Sequence, residues 1–306
     1  MKEHRALAYL VAVGGMLSIA AGAICARIAQ GEGVESLAVA AWRLTFAALA
    51  VAPAALLFDR ASLRAMTLRQ LGLALLAGAF LALHFALWIR SLALTSVASS
   101  TVLVTTNPIW IALVGFLFLR ERFNRTLLSG MALALAGSLA IFWSDRHTGG
   151  ADSLWGNFLA LAGAWCFSAY LLVGHRLRAR LTLPAYVFSV YTSAAALLML
   201  ACLLSGTPLS GWSSAGWQAL LLLALLPQVV GHTAYNWSLR HVSAAFVAIV
   251  TLGEPVGSSL LAWLVFGERL GGLQALGFVL LLLGIGLAAL GENQRTAARA
   301  LAAQQG

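Results

Sequence analysis

The sequence predicts an all-α integral membrane protein whose ten transmembrane helices form two inverted five-helix repeats. Three observations lead there: how apolar the chain is, how its basic residues alternate along it, and how its second half repeats its first. Of 306 residues, 61% are hydrophobic and 9% are Asp, Glu, Lys or Arg, against about 25% charged in a soluble domain. So few charges cannot keep a globular surface in water, and a disordered chain needs the opposite balance. The mean hydropathy of +0.90 places most residues in lipid. The net charge of +9 comes from basic residues scattered singly between apolar runs. In a membrane such charges fix orientation, which argues against nucleic acid as a partner. Cys25, Cys166 and Cys202 lie in apolar stretches with no metal-ligand spacing, so no metal or other cofactor is expected.

A crossing helix needs about 20 mostly apolar residues. Such runs fall near 6–28, 37–57, 69–89, 97–119 and 126–143. After a polar break, Ser144 to Asp152, five more follow near 154–175, 184–204, 215–238, 242–266 and 270–290. The first run follows a short basic N-terminus, as a secretory signal does, but its length reads as a span. The expected organisation is a first repeat over 1–143, a linker over 144–153, a second repeat over 154–291 and a cytoplasmic tail over 292–306. Every connection is short, and no extramembrane domain is expected.

The basic residues set the topology. With the N-terminus inside, the cytoplasmic segments hold Lys2, Arg5, Arg60, Arg64, Arg69, Arg120, Arg122, Arg125, Arg176, Arg178, Arg180, Arg240, Arg295 and Arg299. The outer segments hold Arg27, Arg90, Arg146 and Arg269. Fourteen against four, alternating at each loop, puts both termini in the cytoplasm by the positive-inside rule.

The second half lies on the first without gaps over its last three spans, at an offset of 254 − 107 = 147. Asn107-Pro108 meets Glu254-Pro255, and Ser91, Leu92 and Ser96 meet Ser238, Leu239 and Ser243. Glu121-Arg122 meets Glu268-Arg269, while Gly130 and Gly137 meet Gly277 and Gly284. An odd number of spans per copy makes the two copies face opposite ways. Inverted repeats of this kind belong to secondary transporters, whose solute site lies between the halves near the midplane.

Pro108 with Arg120-Glu121-Arg122, and Glu254-Pro255 with Gly267-Glu268-Arg269, resemble the paired motifs of the EamA domain. Ala41-Trp42-Arg43-Leu44 is similar to the Arg-containing second span of that domain. EamA domains define a large branch of the drug/metabolite transporter superfamily. The resemblance covers nearly the whole chain and implies a ten-helix basket that exports amino acids, drugs or other small metabolites. The chain departs from symmetry where the first copy has Asn107 and the second Glu254.

Glu254 sits about 12 residues from either end of its span, near the midplane. An ionised carboxylate there must face protein or a wet cavity. Pro255 cannot donate to the carbonyl of residue 251, so a helix break is expected, with Pro108 its counterpart. Glu254 reads as a proton- or amine-binding group, or as a packing position paired with Arg43. Arg43 lies roughly 7 Å nearer the outer face. Three readings suit it: an ion pair with Glu254, snorkelling to the surface, or a contact to a solute carboxylate. Asn107, after Thr105-Thr106, suits recognition of a polar headgroup, or helix–helix adhesion.

His84 and Trp88 share one helical face, as do His232 and Asn236, with Tyr235 and Trp237 beside them. The inverted repeat places the first pair toward the outside and the second cluster toward the cytoplasm, where two gates would lie. Trp165 lies too deep for an interfacial belt and reads as a cavity wall, with Ser168 nearby. A partly aromatic, weakly charged cavity of Trp165, Tyr235, His84 and Asn107 suits a neutral or zwitterionic solute better than a sugar phosphate.

The sequence holds no Gly-rich phosphate loop before Lys-Ser/Thr and no supported catalytic set, so neither an ATP-driven pump nor an enzyme is expected. The expectation is an inner-membrane permease that moves a small organic solute outward by alternating access. Its partners are the solute, the lipid bilayer and, if Glu254 is a coupling group, protons; it works as a monomer or homodimer. The alternative is an uncoupled facilitator for drugs or other metabolites. The rival from another class is a membrane scaffold or enzyme without transport.

Overall fold

The computed structural model describes residues 2–118, 123–145, 153–267 and 271–305. The Arg120-Glu121-Arg122 and Glu268-Arg269 turns and most of the 144–153 linker lie outside them. The first copy comprises α1 (Lys2–Gly31), α2 (Ser36–Leu57), the short α3 (Arg60–Arg64), α4 (Leu68–Leu92), the half-helices α5 (Val97–Val104) and α6 (Asn107–Phe118), and α7 (Arg125–Asp145). The second comprises α8 (Ser153–Arg178), α9 (Leu183–Ser205), α10 (Ser214–Leu223), a π-helical stretch (Ala224–His232), α11 (Thr233–Ser238), the half-helices α12 (Ala244–Thr251) and α13 (Glu254–Phe266), and α14 (Gly272–Gln305). Among the described residues there is no strand. Eight segments there are long and apolar enough to cross a bilayer, and two shorter apolar helices, Arg125–Ala140 and Ala275–Ala288, stand in the fifth and tenth places. The last helix does not stop at the expected tail; it runs on to Gln305.

Local chemistry punctuates these helices. Ser96 and Ser243, equivalent at the offset of 147, each accept from a backbone N–H three residues on, at 3.0 and 3.1 Å, and so start α5 and α12. Thr67 and Gln70 form a reciprocal capping box at the start of α4. Gly206 and Gly267 close α9 and α13 in the left-handed conformation, both at φ +69°. Pro227 has no N–H for the preceding turn, and the seventh long span widens into π geometry around it.

Packing follows the repeat. Helix α4 lies against α8, and its equivalent, the α10–π–α11 span, lies against α1. Helix α2 packs on its own equivalent α9, and α7 on its own equivalent α14. The α7–α14 contact is backbone on backbone: a methyl at Gly137 would stand 2.6 Å from the Gly277 oxygen, and one at Gly284 2.7 Å from the Gly130 oxygen. The four glycines matched in sequence thus meet crosswise in space. Small residues let helices approach where lipid provides no hydrophobic drive.

Candidate functional site

The two broken spans break at equivalent positions of the repeat. Helix α5 ends at Val104 and α6 restarts at Asn107; α12 ends at Thr251 and α13 restarts at Glu254. Pro108 and Pro255 are each the second residue of the new helix, where a missing N–H costs nothing. The two breaks touch. Thr251 Oγ1 donates to Asn107 Oδ1 at 3.0 Å, and Ser168 Oγ on α8 reaches the Asn107 carbonyl at 3.3 Å. Repeat symmetry exchanges Thr251 with Val104 and Asn107 with Glu254. The equivalent of the Thr–Asn bond is therefore a valine beside a carboxylate.

That asymmetry opens onto a cavity of about 20 Å³, lined by Val104, Thr105, Asn107, Thr251 and Glu254 from the breaks. His84, Phe85 and Trp88 of α4, Phe167 of α8, His232, Tyr235 and Ile19 complete it. Its size suits a water or two rather than an organic solute, so the site is contracted around its own side chains. Every one of its polar residues is nine-tenths buried or more. Yet Trp88 Nε1, Asn107 Nδ2, His232 Nδ1 and Tyr235 Oη make no hydrogen bond. Unmade hydrogen bonds on buried groups cost about 1–3 kcal/mol each, and these four surround one cavity.

Aromatic packing fixes the walls. The His84 ring stacks on Phe167 at 4.7 Å and bonds the Gly163 carbonyl through Nδ1 at 3.0 Å. The His232 ring meets Phe85 and Phe167 edge-on at 5.3 and 5.6 Å. The two histidine clusters, expected at separate outer and inner gates, face the same cavity. Helix α4 runs to Leu92 rather than ending near residue 89, which leaves His84 deeper than the shorter span implied.

Arg43 is wholly buried and does not snorkel. Its Nε donates to Gln228 Oε1 at 2.9 Å, and its guanidinium lies 3.9 Å over the Phe85 ring. Both terminal nitrogens are without a hydrogen bond, so no hydrogen-bonded pair joins Arg43 to Glu254 in this conformation. Phe85 belongs to the cavity wall and lies against the guanidinium, while Gln228, on the π-helical stretch, takes its Nε–H.

Two expected solute contacts lie elsewhere. Trp165 is 43% exposed and packs on Trp110 at 5.4 Å and Phe158 at 6.3 Å. Depth along a helix does not choose a face: Ala160, Ala164, Phe167 and Leu171 form the buried stripe of α8, and position 165 turns away from it. Asn236 is buried but spent internally. Its Oδ1 accepts from Tyr170 at 2.5 Å, its Nδ2 donates to the Tyr191 hydroxyl at 3.3 Å, and its carbonyl accepts from Arg178 Nε at 2.9 Å. Tyr191 in turn reaches Thr233 Oγ1 at 3.2 Å and the Gln228 carbonyl at 3.4 Å. A polar chain thus runs from Arg178 at one membrane end to Gln228 and Arg43. Of its members the sequence singled out Arg43 and Asn236 but not Tyr191, Gln228 or an inward role for Arg178. Gln228 after Pro227 is a visible polar break in an apolar run, but Arg178 looks like an ordinary loop charge and is 1% exposed.

The comparisons with known proteins agree with this architecture. A solved crystal structure superposes with a TM-score of 0.77 over 95% of this chain and 99% of its own, at 20% identity, which is a likeness of fold. An uncharacterized transporter of Clostridium kluyveri is 26% identical over 198 residues, 62% of either chain. The uncharacterized inner membrane transporter YedA of Escherichia coli K12 is 28% identical over 169 residues, 53% of this chain. The chain covers 62% and 52% of the lengths of these two relatives. The EamA-like transporter family matches residues 6–143 and again residues 154–290. With the repeated domain, the apolar helices and the paired breaks in agreement, this multi-pass membrane protein belongs to the EamA-like transporter family.

Proposed function

We propose that the protein is a secondary transporter that moves a small zwitterionic solute, an amino acid or related metabolite, outward across the inner membrane by alternating access. The observation that carries this reading is the cavity at the paired helix breaks. Glu254 is the one carboxylate among its lining residues, and unpartnered donors on Trp88, Asn107 and Tyr235 stand around the same space. One carboxylate with several donors matches an ammonium and a carboxylate on one solute. A sugar phosphate would ask for several cationic side chains instead.

The cavity is contracted, so solute entry requires the half-helices to part from α4 and α8. The division into repeats over 1–143 and 154–291 supplies two bodies that can rock against each other. The alternation of basic residues supports cytoplasmic termini. Glu254 is the coupling group in this reading, with protons as the driving ion; the uncoupled facilitator is its alternative. The test begins with a thermal-shift panel of amino acids, nucleobases and drugs on purified protein, followed by flux of each hit in proteoliposomes. Saturable flux of a zwitterion supports the proposal. Stabilisation by nucleobases or drugs alone contradicts the solute class, and binding without flux contradicts transport.

A further inference from the structure

A second site lies at the membrane end where α4 begins and α8 ends. There a groove of about 460 Å³ opens between the two helices. Arg69 of α4, Arg176 of α8 and Arg180 just beyond it line the groove, all exposed, and none of its lining residues is acidic. About one turn in from Arg69 and Arg176 the lining becomes apolar with Leu73 and Val173, and Leu177 lines it between Arg176 and Arg180. The apolar segments Leu68–Leu92 and Leu154–Arg178 begin and end at this level. The basic mouth therefore stands at the bilayer surface, and the apolar part extends into it.

The walls are held in place independently of any occupant. Arg178 turns inward, donating from Nε to the Asn236 carbonyl at 2.9 Å and from its guanidinium to the Leu181 carbonyl. His175 Nδ1 pairs with the Leu239 carbonyl at 2.9 Å. The capping box of Thr67 and Gln70 fixes the first turn of α4. The chain thus spends Arg178 on its own backbone while Arg69, Arg176 and Arg180 remain exposed at the mouth, with no acidic residue lining the same groove.

We infer that this groove is a binding site for an anionic glycerophospholipid, its phosphate held by Arg69, Arg176 and Arg180 and an acyl chain laid along Leu73, Val173 and Leu177. Basic clefts between spans at the cytoplasmic surface suit such headgroups, and arginine pairs with phosphate in a fork geometry that lysine lacks. The apolar floor selects a lipid over a soluble phosphate. The inference is independent of the solute cavity and of what the protein transports.

Native mass spectrometry of the detergent-purified full chain, titrated with phosphatidylglycerol or phosphatidylcholine, tests it. The expected result is one tight phosphatidylglycerol adduct, weakened about tenfold or more in Arg69→Gln/Arg176→Gln. Arg69→Lys/Arg176→Lys should recover part of the affinity. Arg60→Gln/Arg64→Gln removes as much charge from α3, outside the groove, and should leave the adduct intact. Equal weakening in both Gln pairs, equal affinity for phosphatidylcholine, or displacement by inorganic phosphate at the same concentration as the lipid would each overturn the assignment.

Discussion

Thr251 and Asn107 belong to opposite repeats, and a 3.0 Å hydrogen bond between their side chains joins the two helix breaks. Both are nine-tenths buried or more. Their symmetry equivalents, Val104 and Glu254, form no such link. One half of the pseudo-symmetric centre is therefore tied and the other carries a carboxylate facing the cavity.

Thr251→Val should leave Asn107 Oδ1 without its donor and cost about 1 kcal/mol, in the range of interhelical hydrogen bonds in membranes. Thermal unfolding in detergent would report a modest loss. If Thr251→Val is neutral while Asn107→Ala destabilises, the bond is not what joins the breaks.

Gln228→Leu removes the acceptor of a fully buried guanidinium and should destabilise by about 1.5–3 kcal/mol, the range for hydrogen bonds to charged groups. Arg43→Met should cost less in the Gln228→Leu background than alone, with a coupling of about 1–3 kcal/mol in a double-mutant cycle. Strict additivity would show that Arg43 is held by its aromatic stack on Phe85 and not by Gln228.

Gly137→Leu places a side chain where even a methyl group would stand only 2.6 Å from the Gly277 oxygen. Overpacking of this kind costs about 1–3 kcal/mol and should lower thermal stability by prising α7 from α14. Gly286→Ala, on α14 but with nothing within 4 Å of the added methyl, is the control. Equal effects of the two substitutions would contradict the packing described.

These glycines show how much of the fold is legible in the sequence. Gly130, Gly137, Gly277 and Gly284 pair by offset alone, and they are in contact because self-equivalent helices pack about the pseudo-twofold axis. Pro108 and Pro255 locate the broken spans for a simpler reason: a missing N–H acts locally, whatever surrounds it. Side-chain faces are less legible. Helices apolar nearly all round give no amphipathic stripe from which to read rotation, so depth alone points Trp165 at the cavity, whereas it lies on the outer surface. Asn236 looks free on its own helix because Tyr170 and Tyr191, which use its amide, come from α8 and α9. Glu254, Asn107, His84 and His232 stand out because a polar group at the midplane is costly unless buried against protein.

Asp59 supplies the pH-dependent prediction. Its slight burial acts to raise the carboxyl pKa, but hydroxyls from Ser62 and Thr182 and the Ala185 N–H outweigh it and hold the group below the usual carboxylate range. A depressed pKa contributes stability above the unfolded value, near about 4, and that contribution is lost as pH falls through the folded value. The site is close to solvent, so its worth is no more than about 0.5 kcal/mol. Asp59→Asn should melt slightly below the parent protein at pH 7, and the gap should narrow as pH falls below about 4. A difference that persists unchanged at pH 3 would contradict this.

The most direct test of the central claim, that the cavity at the helix breaks binds and couples the solute, is flux in proteoliposomes with and without an imposed pH gradient. The account predicts saturable zwitterion flux that the gradient accelerates, with Glu254→Gln abolishing the acceleration while the protein remains folded. Flux in Glu254→Gln that still follows the gradient as in the parent protein would contradict it.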